Sequence, residues 1–274
     1  MAFFFKDKLY SCLDFIGESL MKLSQIAAFC TISATAAFTQ ASPIVWQDFS
    51  LTALYGENYL VPFEGDKNEQ TTITAEYAAK LKYSDVFVFV DHFWNAHEEQ
   101  STYLEVAPRL SLGEVSGKDL SFGPIKDVLI ATTWEHNAGY DTHNNEFNNF
   151  LYGIGFALDI PYTQYANVNF YKADNDSKSL NTKDDYQMTI TYAIPFKISS
   201  EEFLVDAFFD WSTAEKGAQA SELNWTSQYK WNVGKHISPK TKLYVGIEHS
   251  IWNNKYGLRG QDQNDVSALV KYHF

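Results

Sequence analysis

Cysteine is nearly missing from this chain. Of 274 residues only Cys12 and Cys30 carry a thiol, and both precede Ser42. A chain processed near Ser42 keeps neither, which excludes a disulfide scaffold and thiolate chemistry from the remainder. Lipid attachment at Cys30 is disfavoured by Phe29 immediately before it, where a lipidation site takes a small residue. Basic residues are also scarce: 21 Lys and Arg against 34 Asp and Glu leave a formal net charge of -13. That sign excludes a nucleic-acid polymer as partner, because phosphate binding needs the opposite one. No run supplies the ~20 continuous apolar residues that a helical span requires, and mean hydropathy is negative at -0.29. Internal repeats and a serine-nucleophile motif are absent as well.

Aromatic rings, by contrast, are abundant: 7 Trp, 17 Tyr and 21 Phe make up 16% of the chain. Their distribution matters more than their number. In Val266-Ser-Ala-Leu-Val-Lys-Tyr-His-Phe274 an apolar side chain falls at every second position. A period of two is a β-strand with one greasy and one mixed face. In an outer-membrane barrel Val266, Ala268, Val270, Tyr272 and Phe274 face lipid, while Ser267, Leu269, Lys271 and His273 face the lumen.

Met21-Lys22 opens an export signal: one positive residue, an apolar run from about Ile26 to Phe38, and Thr39-Gln40-Ala41 before Ser42. Residues 1–20 then form an upstream extension, 21–41 a cleavable signal peptide and 42–274 the exported domain. That domain is expected to be all-β, a transmembrane antiparallel barrel of about 12 strands in the outer membrane of a Gram-negative bacterium. Period-two segments fall at roughly 46–55, 71–83, 86–95, 102–112, 128–136, 149–159, 165–172, 185–195, 202–213, 222–233, 241–249 and 264–274. An even count places both ends of the barrel on the periplasmic side. Polar stretches at 56–70, 173–184 and 250–263 fit extracellular loops, whereas Gly113 to Asp127 is long for a periplasmic turn.

The segment 71–83 sends Ile73, Ala75, Tyr77, Ala79, Leu81 and Tyr83 to one face, taken as the lipid face. The next segment, Val86-Phe-Val-Phe-Val90, is apolar on both faces, so only register can orient it. A two-residue hairpin at Ser84-Asp85 sets Tyr83 opposite Val86. Val86, Val88 and Val90 then face lipid, and Phe87, Phe89, Asp91 and Phe93 face the lumen. The same alternation puts Tyr103, Glu105 and Arg109 inside, followed by Phe208 and Asp210, and by Lys242, Tyr244 and Glu248. These twelve residues are the expected solute contacts. Rings stack on planar bases at ~1–3 kcal/mol per base, and ionisable groups bond sugar hydroxyls and ring heteroatoms. Twelve strands fall between a filled eight-stranded barrel and a wide porin, so a narrow passage is expected.

Several motifs in order resemble one family: Trp46-Gln-Asp-Phe-Ser-Leu-Thr-Ala-Leu-Tyr-Gly56, Asp91-His-Phe-Trp94, Ala107-Pro-Arg-Leu-Ser-Leu112, Ile125-Lys-Asp-Val128 and Trp252-Asn-Asn-Lys-Tyr-Gly257. Together they are similar to the Tsx-type nucleoside-specific channels, including OmpK-like outer-membrane proteins, from Trp46 to Phe274. The resemblance implies a twelve-stranded monomeric barrel, seated in outer-membrane lipid, that conducts nucleosides and deoxynucleosides. It also implies that the extracellular loops serve as a bacteriophage receptor in some members.

Two other readings compete. A barrel hydrolase would draw on His92, His97, His136 or His143 with Asp91, Glu98, Glu135 or Asp141. Neighbours in a strand point to opposite faces, however, which makes Asp91-His92 and Glu135-His136 poor acid/base pairs. Asp141-Thr-His143 reads as a solvated turn rather than a metal site. An anion-selective or less selective porin would line its lumen mainly with Arg and Lys, whereas here both signs are mixed. The expectation is therefore passive transport without cofactor, metal or catalysis.

Overall fold

The computed structural model describes residues 44–60, 67–95, 100–139, 146–177, 184–214 and 220–274. The upstream extension, the export segment, both cysteines, and His97, Glu98, Asp141 and His143 lie outside the described residues. Twelve strands follow in order: β1 (Trp46–Leu60), β2 (Lys67–Lys80), β3 (Ser84–Asn95), β4 (Gln100–Ser111), β5 (Ile125–Gly139), β6 (Phe147–Leu158), β7 (Tyr165–Ser177), β8 (Asp185–Ile198), β9 (Glu201–Ser212), β10 (Glu222–Asn232), β11 (Lys242–Asn253) and β12 (Gln263–His273). Each pairs antiparallel with its neighbours, and β1 pairs with β12, so the sheet closes into a barrel. Closure removes every free edge, the condition for a sheet to sit in lipid. No helix among the described residues is long and apolar enough to cross a membrane.

Alternation sets the two faces. Along β12 the pattern is strict: Ser267, Leu269 and Lys271 are buried while Val266, Ala268, Val270 and Tyr272 are exposed. β1 repeats it, with Ser50, Thr52 and Leu54 inside and Phe49, Leu51 and Tyr55 outside. Large apolar side chains therefore cover the outer wall, among them Ile73, Ile154, Phe170, Trp211 and Trp225. In water so large an apolar surface would aggregate, whereas a lipid bilayer leaves it satisfied. Following the register once around returns to β1 displaced by roughly sixteen residues, the stagger of strands tilted by about 45°. At Gly246 the strands approach so closely that a Cβ would stand 1.9 Å from the Tyr229 carbonyl oxygen.

Two expectations need correction, and one long connection proves to be structured. The β2–β3 turn is Leu81-Lys82-Tyr83, closed by Leu81 N–H donating to the Ser84 carbonyl at 2.8 Å. Val86 thus lies opposite Ala79, not Tyr83. Asp85 is drawn out of the turn into the ladder because its carboxylate accepts two bonds from Arg109, at 2.8 and 3.0 Å. The register moves by an even number of residues, so the faces assigned to β3 survive. The stretches read as extracellular loops are shorter than expected, since β1, β2, β7 and β11 extend into them. Finally, the long Gly113–Asp127 connection is ordered. Ser111 caps a short helix, α1 (Leu112–Ser116), by accepting from Glu114 N–H at 3.0 Å. Asp127 accepts from the Ser111 hydroxyl at 2.5 Å and from the Val128 N–H at 2.8 Å, and Phe122 bridges to Ile125.

Candidate functional site: the lumen

Carrying the inward face of β1 through the register places all twelve anticipated residues on the inner wall. Ser50 pairs with Glu76 and Thr52 with Thr74. Glu76 in turn pairs with Phe89, Thr74 with Asp91, Ala78 with Phe87 and Thr72 with Phe93. One strand further, Asp91 pairs with Tyr103, Phe89 with Glu105 and Asp85 with Arg109. From the other side, Lys271 is opposite Tyr244, His273 opposite Lys242 and Ser267 opposite Glu248. Gln228 on β10 links Glu248 to Asp206, which fixes Phe208 and Asp210 inside as well.

These residues are not gathered into one pocket. Phe87, Phe89 and Tyr103 form a continuous aromatic run, with ring centroids 5.7 and 5.5 Å apart, and Phe147 on β6 extends it at 6.1 Å from Tyr103. Tyr244 stands apart, 5.5 Å from the His273 ring. Lys242 lies where β11 begins, 3.5 Å from Asp48, and Phe93 lies towards the other end of the barrel, on β3.

Charge is segregated along the axis. Near the short-turn end inward cations pair with acids, Arg109 with Asp85 at 2.8 Å, Lys230 with Asp206 at 2.6 Å and Lys271 with Glu76, and the His273 ring nitrogen Nδ1 lies 2.5 Å from the Asp48 carboxylate. Further along the strands the inward acids are held by neutral donors. Thr74 donates to Asp91 and Thr189 to Asp210, both at 2.5 Å; Tyr103 donates to Glu105 at 3.3 Å, Asn149 to Glu135 at 3.0 Å and Gln228 to Glu248 at 2.9 Å. The inward acids are thus held by ion pairing in one half and by neutral hydrogen bonds in the other.

At the long-loop end the segment 254–262 folds inward over the wall. Lys255 is buried, donating to the Leu60 carbonyl at 3.0 Å and to Gln263 Oε1 at 2.7 Å, with its ammonium 4.7 Å from the Trp252 ring and 5.3 Å from the Tyr256 ring. Glu222 accepts from Trp252 Nε1 and, at 3.2 Å, from the Tyr256 N–H. Burial pushes the Lys255 ammonium down to about 7, against the opposing pull of Glu222 and Asp265. Tyr256 holds a left-handed backbone, φ 59, which the surrounding bonds must enforce.

The Asp91–His92 and Glu135–His136 neighbours do not form acid/base pairs. His92 points outward beside Trp94, at 4.4 Å, while Asp91 faces the lumen. His136 likewise lies outside, against Asn148, and Glu135 inside. No cluster of metal-ligating side chains occurs among the described residues. Among inward residues, Glu135, Asp206 and Phe147 were not singled out as solute contacts. Alternation would have placed the first two; Phe147 precedes the segment read as a strand, among polar residues that resemble a loop.

The chain is 24% identical to outer membrane protein OmpK of Vibrio parahaemolyticus, over 93% of this chain and 97% of that protein. It is 29% identical to OmpK of V. parahaemolyticus serotype O3:K6, with the same coverage. With the nucleoside-specific channel-forming protein Tsx of Klebsiella aerogenes it shares 22% identity, over 85% of each. A solved KdgM porin overlays with a TM-score of 0.44 at 9% identity, covering 82% of this chain and 99% of that one. The family described as nucleoside-specific channel-forming protein, Tsx, matches residues 44–274, and this chain, an outer-membrane β-barrel channel of a Gram-negative bacterium, belongs to it.

Proposed function

We propose that the barrel carries nucleosides and deoxynucleosides across the outer membrane by passive diffusion. The observation that carries this reading is the inward run of Phe87, Phe89, Tyr103 and Phe147, interleaved with Asp91, Glu105 and Glu135. A nucleoside is a flat ring joined to a hydroxylated sugar. Rings in the wall offer stacking to the base, and carboxylates one residue away across the ladder accept from sugar hydroxyls and exocyclic amines. Contacts strung along the path, each weak, let a solute leave as readily as it enters.

The relatives' names support the solute class, and the process needs no cofactor and no covalent step. Liposomes containing the purified protein are expected to take up adenosine or thymidine faster than a sugar of similar size. Equal rates would reduce the function to a less selective small-solute porin.

A further inference from the structure

Glu105 on β4 and Glu135 on β5 are cross-strand partners on the inner wall, and Asp210 on β9, opposite Thr189 and Asn224, faces the same lumen. Asp91, opposite Tyr103 on the β3–β4 wall, and Glu222, two residues from the Asn224 that faces Asp210, line the same lumen. None of the three has an ion-pair partner among the described residues. Their fixed partners, Tyr103, Asn149 and Thr189, are neutral. The buried inward cations Lys230 and Lys271 are already bound to Asp206 and Glu76, and Lys255 is held by the Leu60 carbonyl and Gln263.

Like charges focused between low-dielectric walls create a potential that draws in ions of the opposite sign. A second, independent feature favours the same sign. The rings of Phe89, Tyr103 and Phe147 share this stretch of inner wall, and an aromatic face attracts a cation through its quadrupole. Carboxylates beside π-faces are the surroundings that suit a small ammonium ion, whereas an anion meets repulsion from both.

We propose that the extracellular half of the lumen is a cation-attracting vestibule. The channel passes small cations, organic ammonium ions included, in preference to anions, and Glu105, Glu135 and Asp210 set that preference. The inference rests on the channel reading but not on nucleoside selectivity.

Its test is the reversal potential of the full chain in a planar bilayer under a potassium chloride gradient, then under a choline chloride gradient. Wild-type protein is expected to show a cation-selective sign in both salts. The combined E105Q, E135Q and D210N variant should move the reversal potential at least halfway to zero, with E135Q alone giving a smaller shift in the same direction. A wild-type potential at zero or of anion-selective sign overturns the proposal without need of any variant. So does an unchanged potential in a folded triple variant. Nucleoside discrimination is read separately in the uptake assay, so a cation-selective channel with equal nucleoside and sugar rates would reject only the proposed function.

Discussion

Phe89 and Tyr103 meet across adjacent strands with ring centroids 5.5 Å apart, yet neither is the other's paired neighbour: Phe89 is opposite Glu105, and Tyr103 opposite Asp91. Rings and carboxylates therefore alternate on the diagonals of the β3–β4 wall. A solute sliding past meets a stacking face and a hydrogen-bond acceptor together.

Replacing Phe89 by Ala leaves the carboxylates in place and removes the ring between Phe87 and Tyr103. A stacked base is worth ~1–3 kcal/mol, so the uptake ratio of adenosine to a similar-sized sugar is expected to fall by about fivefold or more. The F87A/F89A pair should lower it further while the barrel still folds, monitored by its resistance to detergent at room temperature. A ratio unaffected in both variants would remove this wall from the solute path.

The Lys230–Asp206 pair tests the inner half of the lumen. The Lys230 side chain is fully enclosed, and Asp206 is 21% exposed. Removing one member of such a pair strands the other, at a cost of about 3–5 kcal/mol where water cannot reach it. K230M is expected to lower the urea midpoint of unfolding, and K230M/D206N to recover much of the loss. Equal midpoints for the single and double variants would mean that lumen water already compensates Asp206.

At the mouth, Lys255 gives a pH dependence whose sign is fixed. Its ammonium titrates near 7 when buried and near ~10.4 when free. The docked segment therefore binds fewer protons than the released one between those values, and its docking strengthens as pH rises from about 7 towards about 10. Hydrogen exchange of residues 254–262, corrected for intrinsic rates, is expected to slow several-fold between pH 6 and pH 9. K255M should abolish that trend. Faster corrected exchange at pH 9 than at pH 6 in the wild type would contradict the burial of this amine.

The barrel was legible because its faces are. Val266 to Phe274 states the alternation so strictly that the inward and outward sets can be read from letters alone, and the same rule reached Glu105, Asp210 and Glu248. Pairing was harder. Asp85 looked like a turn residue because Ser-Asp favours turns, and only its distant partner Arg109 shows that it belongs to the ladder. The hairpin was therefore misplaced, yet the error was even in residues and period two hides such errors. Phe147 and the inward fold of Lys255 were out of reach for a different reason. Above the lipid the outer face no longer needs apolar residues, so strands continue with no pattern to mark them. What holds the mouth segment is a set of bonds to distant strands, Lys255 with Leu60, Asn254 with Ser221 and Tyr256 with Glu222.

The seam between β1 and β12 carries a consequence for assembly. Its bonds, among them Phe274 N–H to the Phe49 carbonyl at 2.9 Å and Asn58 N–H to Asp265 at 2.9 Å, join segments more than two hundred residues apart. Until β12 arrives, β1 presents a row of bare amides and carbonyls that hydrocarbon cannot solvate. Strands cannot then be threaded into the bilayer one after another as they are made. The chain must reach the membrane whole, held unfolded in transit, and enter as the cylinder shuts, with the most distant contacts closing last and slowing the process.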